Sequence, residues 1–134
     1  MGRLRVAVLW SNFGPYHMAR LTALNEVCDV VAIQIHGRED ARGWDRVAAP
    51  PNLKIRTLLD GLEQGGHLSL APTIWQTLSE ANPAAVLVPG YAEGMALTAA
   101  VWAKLHRRPA LLMNESTMGD RPRRAWAERC KRQL

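Results

Sequence analysis

Short apolar, β-rich runs alternate along this chain with segments whose apolar residues recur every three or four positions. Arg5 to Leu9 is such a run, and the turn-prone Ser11-Asn12-Phe13-Gly14-Pro15 ends it, which predicts a first strand and its loop. From Tyr16 onward, Met18, Leu21, Leu24 and Val27 fall near helical spacing with Asn25 and Glu26 facing out, so a helix of about three turns follows. Cys28 to Ile35 is β-branched and predicts a second strand. Gly37 to Asn52 is charged, contains Gly43 and Pro50-Pro51, and has Trp44 and Val47 as its candidate anchors; it reads as a long loop. Leu53 to Leu59 alternates apolar residues with Lys54 and Arg56 and predicts a third strand, after which Asp60, Gly61, Gly65 and Gly66 mark a flexible connection.

The second half repeats the alternation. Pro72 to Ala81 fits a helix that accepts proline in its first turn and points Ile74, Trp75 and Leu78 inward. Ala85 to Val88 reads as a strand, Pro89-Gly90-Tyr91 as a turn, Ala92 to His106 as a helix, and Ala110 to Met113 as a further strand that leads into Asn114-Glu115-Ser116-Thr117. A last helix begins near Pro122, with Trp126, Cys130 and Leu134 on one stripe. This order predicts an α/β fold: a Rossmann-like, doubly wound parallel sheet in three α/β/α layers. The final stripe has no following strand, so residues 1–134 read as the amino-terminal portion of a larger protein.

Composition narrows the function. The formal charge is +5, but residues 1–120 are balanced and the whole excess lies in residues 121–134, where Arg121, Arg123, Arg124, Arg129, Lys131 and Arg132 face only Glu128. A basic face spread over the domain is absent, which argues against nucleic acid as a partner; peripheral contact of the tail with a membrane surface stays open. No apolar run approaches the roughly 18 residues of a membrane span, and the start lacks the apolar region of a signal peptide. The cytoplasm is the default location, with the inner membrane face as the tail's variant of it. Cys28 and Cys130 have no CxxC spacing and read as buried thiols, and His17, His36, His67 and His106 show no metal-ligand spacing.

In a parallel sheet, polar residues at strand ends and helix starts form the rim where ligands bind. The first candidate cluster is Asn12, Gly14, Tyr16 and His17. Gly14 lets a ligand approach the backbone, and His17 in the first helical turn offers an imidazole as hydrogen-bond donor or base, or else is a surface histidine. A GxGxxG fingerprint is missing, Pro15 removes one amide, and the second strand ends in Ile35-His36 without an acid to hold a ribose, so a dinucleotide site is not expected. The second cluster is Gly90, Tyr91 and Glu93: a turn glycine, a ring with a hydroxyl suited to sugars, and a carboxylate that the helix dipole alone would also favour. Glu115 and Ser116 form the third, directly after a buried strand.

These residues carry a resemblance. Pro89-Gly90-Tyr91-Ala92-Glu93, the helix ending in Ala103-Lys104-Leu105-His106-Arg107-Arg108-Pro109, Leu111-Leu112-Met113-Asn114-Glu115-Ser116-Thr117, and Pro122-Arg123-Arg124-Ala125-Trp126 with Lys131 resemble the amino-terminal domain of GT-B glycosyltransferases. The first strand with Asn12, Gly14 and Tyr16, and Trp44 in the long loop, are similar too. The resemblance implies two Rossmann-like domains facing across a cleft: this one shapes the acceptor site, and a carboxy-terminal domain, absent here, holds most of the nucleotide-sugar donor. It implies no metal or other cofactor. His17 and Glu93 would then orient reacting hydroxyls as catalytic residues, while Asn12, Gly14, Tyr16, Gly90, Tyr91, Glu115 and Ser116 would bind substrate, with sugar passing from the nucleotide-sugar donor to an acceptor hydroxyl. Gly14-Pro15 stands where many members carry paired glycines, which weighs against donor phosphate at this loop. A nucleotide-sugar epimerase domain and a non-catalytic Rossmann-like binding module are the alternatives.

Overall fold

A computed structural model of the chain describes residues 2–36, 48–59, 70–90, 94–113 and 129. The elements are β1 (Arg5–Trp10), α1 (Pro15–Val27), β2 (Asp29–His36), β3 (Lys54–Leu59), α2 (Ala71–Ala81), β4 (Ala85–Pro89), α3 (Gly94–Leu105) and β5 (Ala110–Met113). Among the described residues the strands form one parallel sheet in the order β3-β2-β1-β4-β5. The sequence grows outward from β1 to β3, then returns to the other side of β1, so β1 and β4 flank a topological switch point. The class is Rossmann-like α/β.

Burial follows from this topology. Strands between two helical layers are covered on both faces, and β1 accordingly buries Val6, Ala7, Val8 and Leu9 in succession instead of every second residue. Ala7, Leu9, Val86 and Val88 face α2 and α3 in one core with Ile74, Leu78, Met95 and Trp102. Val6, Val8, Val30 and Ala32 face α1 in a second core with Phe13, Met18 and Leu21. In α3, Ala96, Ala99, Ala100 and Ala103 are all buried, and these small side chains let the helix lie close enough for Trp102 to be wholly enclosed. The Trp102 indole N–H donates to Ser79 Oγ at 3.0 Å, and His106 stacks on its ring at 4.2 Å.

Helix ends obey local chemistry. Pro15 sits in the first turn of α1, where its missing N–H costs no helical bond. After α2, Asn82 takes the left-handed conformation at φ 44° and returns its N–H to Leu78 O at 2.8 Å.

Four positions depart from the pattern read in the sequence. Val27, expected inward, is 70% exposed, whereas Asn25, expected outward, is buried. Asn25 is drawn in by backbone groups needing partners: its Nδ2 donates to Asn52 O at 3.0 Å, its Oδ1 accepts Val30 N–H at 3.1 Å, and its carbonyl accepts from Arg3. Cys28 caps the end of α1 and is half-buried, not enclosed as a core thiol. Trp75 is only partly buried against its core. The predicted loop anchors Trp44 and Val47, His67, Cys130, the Pro122 helix with its Trp126 and Leu134 stripe, and the basic tail apart from Arg129 lie outside the described residues.

Candidate functional site

The β1–α1 loop is fixed by the end of β2. Ser11 O accepts the N–H groups of Ile35 and His36 at 3.1 and 3.0 Å, and Asn12 Nδ2 donates to His36 O at 3.0 Å. Phe13 N–H donates to Oε1 of the buried Gln34 at 3.1 Å, and Gln34 Nε2 donates in turn to Thr57 Oγ1 at 2.9 Å. One chain of hydrogen bonds thus runs from the loop through β2 into β3. Asn12 has a structural task within it, because its amide holds the loop to β2. Gln34 was not singled out in the sequence; a glutamine inside an otherwise apolar strand was the available signal.

Gly14 is the buried N-cap of α1 with extended backbone (φ −74°, ψ 179°), a conformation open to any residue, and its carbonyl accepts Met18 N–H at 2.9 Å. Tyr16 is 62% exposed; its ring packs edge-to-face with His17 at 5.8 Å between centroids, and the Arg20 guanidinium lies over it at 5.5 Å from the ring centroid. His17 is half-buried and lies 4.5 Å from Trp10, ring to ring, at the end of β1. Tyr16, His17 and Trp10 therefore form one aromatic group at the carboxyl end of the first strand. Gly90 follows β4, the neighbour of β1, and is half-buried on the same rim. Tyr91, Glu93, Glu115 and Ser116 lie outside the described residues.

Beside this group, a cavity of about 360 Å³ opens between α1 and the sheet, lined by Trp10, Phe13, His17, Leu21, Leu87 and Met113 among others. Its floor crosses the switch point, since Val8 of β1 and Leu87 of β4 are register partners. Crevices at this place in open α/β sheets bind ligands, and the volume falls in the range of small-molecule sites, roughly 300–1,000 Å³.

The pyrophosphate of a dinucleotide does not suit the loop. Pro15 has no N–H, the Phe13 N–H is already given to Gln34, and β2 ends in His36 where a ribose would need a carboxylate. Among the described residues no group of His, Cys, Asp and Glu could hold a metal ion, and no helix is long and apolar enough to cross a membrane.

The fold is Rossmann-like α/β, with a cavity at its topological switch point. No family model matches the sequence, and no curated protein matches it. A crystal structure of the Bordetella bronchiseptica enzyme WbmH in complex with NAD+ aligns with 80% of this chain at 15% identity and a TM-score of 0.48, and the chain spans 37% of that structure's length. A likeness of that degree assigns no ligand or activity to this chain.

Proposed function

We propose that this chain is a substrate-binding Rossmann-like domain of an enzyme acting on nucleotide sugars, in the form of the acceptor-side domain of a glycosyltransferase. The observation that carries the reading is the switch-point cavity lined by Trp10 and His17, with Tyr16 in edge contact with His17, next to a loop whose amides are poorly placed for phosphate. Such a site suits an acceptor better than the donor diphosphate. In the reaction, the acceptor hydroxyl oxygen forms a bond to the anomeric carbon, the bond from that carbon to the diphosphate oxygen breaks, and the nucleoside diphosphate leaves with the electron pair. The hydroxyl proton passes to a base, for which His17 and Glu93 are the candidates. Glu115 and Ser116 would complete the acceptor pocket.

A nucleotide-sugar epimerase domain is the second reading, and the fold suits it at least as well, because β3-β2-β1-β4-β5 is the order of a dinucleotide-binding domain. The chemistry of the β1–α1 loop opposes it, since Pro15 lacks an N–H and the Phe13 N–H is already given to Gln34. Calorimetric titration of residues 1–134 with NAD+ and with UDP-glucose separates the two. The glycosyltransferase reading expects neither to bind tightly, with the donor held by a second domain. Micromolar binding of NAD+ replaces it with the epimerase, and micromolar binding of UDP-glucose contradicts the assignment of this domain to the acceptor. Sugar transfer by the chain together with its downstream coding sequence, absent from the chain alone, is the positive result.

A further inference from the structure

We propose that the amino-terminal edge of the sheet, at the end opposite the cavity, docks on an anionic membrane surface. Residues 1–120 carry no excess charge in total, yet the topology gathers cations and bare aliphatic side chains at this edge. The strands are parallel, so their starts lie together, and each helix runs back to end beside them. Arg3 and Leu4 precede β1, Val27 ends α1, Lys54 opens β3, Leu105 ends α3, and Arg107 and Arg108 lead into β5.

Hydrogen bonds join these positions into one surface. Leu4 O accepts the Asp29 N–H at 2.9 Å, Arg5 donates to the Asp29 carboxylate at 2.7 Å and to Ala81 O at 3.2 Å, and Asn82 Oδ1 accepts from Arg108 at 3.5 Å. Arg107, in the left-handed conformation at φ 54°, closes α3 beside Arg108. Leu4, Val27 and Leu105 stand out from this surface at 57%, 70% and 68% exposure. The Arg5–Asp29 and Arg56–Glu80 pairs cancel internally; beyond them, the exposed Arg3, Lys54, Arg107 and Arg108 outnumber Glu26. The bonds from Arg3 to Asn25 O and from Arg108 to Asn82 Oδ1 go to uncharged oxygens and leave both charges intact. A surface potential acts on that charge and needs no open donor.

The mixture selects the partner. Leucine and valine give a nucleic acid nothing to bond, whereas a bilayer interface takes aliphatic side chains into its acyl boundary while its anionic headgroups attract the arginines around them. The cavity opens at the far end of β1, about 20 Å away, so docking by this edge keeps it turned toward solvent. This docking does not depend on the acceptor-side reading.

Co-sedimentation of residues 1–134 with vesicles of phosphatidylcholine and phosphatidylglycerol at 7:3 is the test. Binding is expected to anionic vesicles, to weaken as salt rises, and to be absent with pure phosphatidylcholine. Arg107→Gln with Arg108→Gln should lower partitioning by about tenfold or more, and Val27→Asn with Leu105→Asn by about fivefold or more, each with the wild-type thermal midpoint. Arg123→Gln with Arg124→Gln, in the basic tail, should change it less than twofold. On vesicles, slowed hydrogen exchange should appear at residues 2–4, 26–28 and 105–109. No binding to anionic vesicles, or equal binding to neutral ones, overturns the proposal. So does loss of binding in the tail variant alone, which makes the tail the membrane contact. Binding weakened by the arginine changes but untouched by Val27→Asn with Leu105→Asn overturns it too, by making the edge a general anion site, and protection confined to residues 10–17 does so by placing the contact at the opposite rim.

Discussion

The backbone N–H of Phe13 donates to Oε1 of Gln34 at 3.1 Å, so the loop that carries the candidate site hangs from a side chain of the neighbouring strand. Gln34→Leu removes that acceptor while keeping bulk, and leaves a buried N–H and the Thr57 hydroxyl without this partner. The expected loss is about 1–3 kcal/mol of unfolding free energy, read by urea denaturation, together with faster hydrogen exchange at the Phe13 amide. Unchanged exchange would mean that the loop is held by its other ties, those of Ser11 and Asn12.

Asn25 joins the α1 helix to the residues before β3 and to the start of β2. Replacing it with alanine orphans Asn52 O and Val30 N–H, and about 1–3 kcal/mol should be lost. Asn25→Asp keeps the acceptor for Val30 but not the donor for Asn52, so it should fall on the unstable side as well. A neutral result for both would return Asn25 to the outward role that its spacing alone suggests.

Trp102 is wholly enclosed between α2, α3 and the sheet. Trp102→Ala should cost about 3–5 kcal/mol through lost burial and the cavity left behind. Trp102→Phe retains much of that packing but drops the bond to Ser79 Oγ, and it should cost clearly less. Equal losses in the two variants would place the energy in the hydrogen bond and not in the packing.

The Arg5 side chain, 2.7 Å from Asp29, holds that carboxyl below its usual range by a direct hydrogen bond, aided by the charge of Arg5 itself and of Lys54 and Arg3. Folding therefore favours the ionised form. The pair's contribution is complete above the ordinary carboxylate pKa and is lost as pH falls through the depressed one. Because the side chains are 46% and 29% exposed, solvent screens the pair and its worth is at most about 1 kcal/mol. Asp29→Asn should thus be slightly less stable than wild type at neutral pH, with the gap closing in acid. A gap that widens as pH falls would contradict the assignment.

For the proposed chemistry, His17→Ala in the complete enzyme should lower turnover by about a hundredfold, the scale of a positioned acid or base, and leave the thermal midpoint close to wild type. Glu115→Gln is expected to behave alike. Full activity in both variants, or activity lost only with folding, removes these residues from the reaction.

Much of the fold was legible along the chain. β5 falls on the residues read for it, Ala110 to Met113, and β1, β2, β3, β4 and α2 begin or end within a residue or so of their expected bounds. The reason is that the central strands β1, β2 and β4, covered on both faces, are apolar almost throughout, the exposed edge strand β5 is a short apolar run bounded by Pro109, and helices covered on one face repeat at about 3.6 residues, so each leaves a mark in the sequence. The site was legible only in outline. A loop between a strand and a helix points to the rim, but spacing cannot say which side chains the loop itself consumes. Asn12 and Asn25 are the same residue type and both read as outward-facing or ligand-facing polar positions, yet tertiary structure spends the Asn12 amide on His36 O and buries Asn25 against Asn52 and Val30, because backbone donors and acceptors distant in sequence need partners there. The sequence determined the alternation of elements and the class of fold. Only the packing of β4 beside β1 decided that Val8, Trp10, Leu87 and Met113 share one cavity with His17, since proximity across a sheet is set by strand order, which no local pattern encodes.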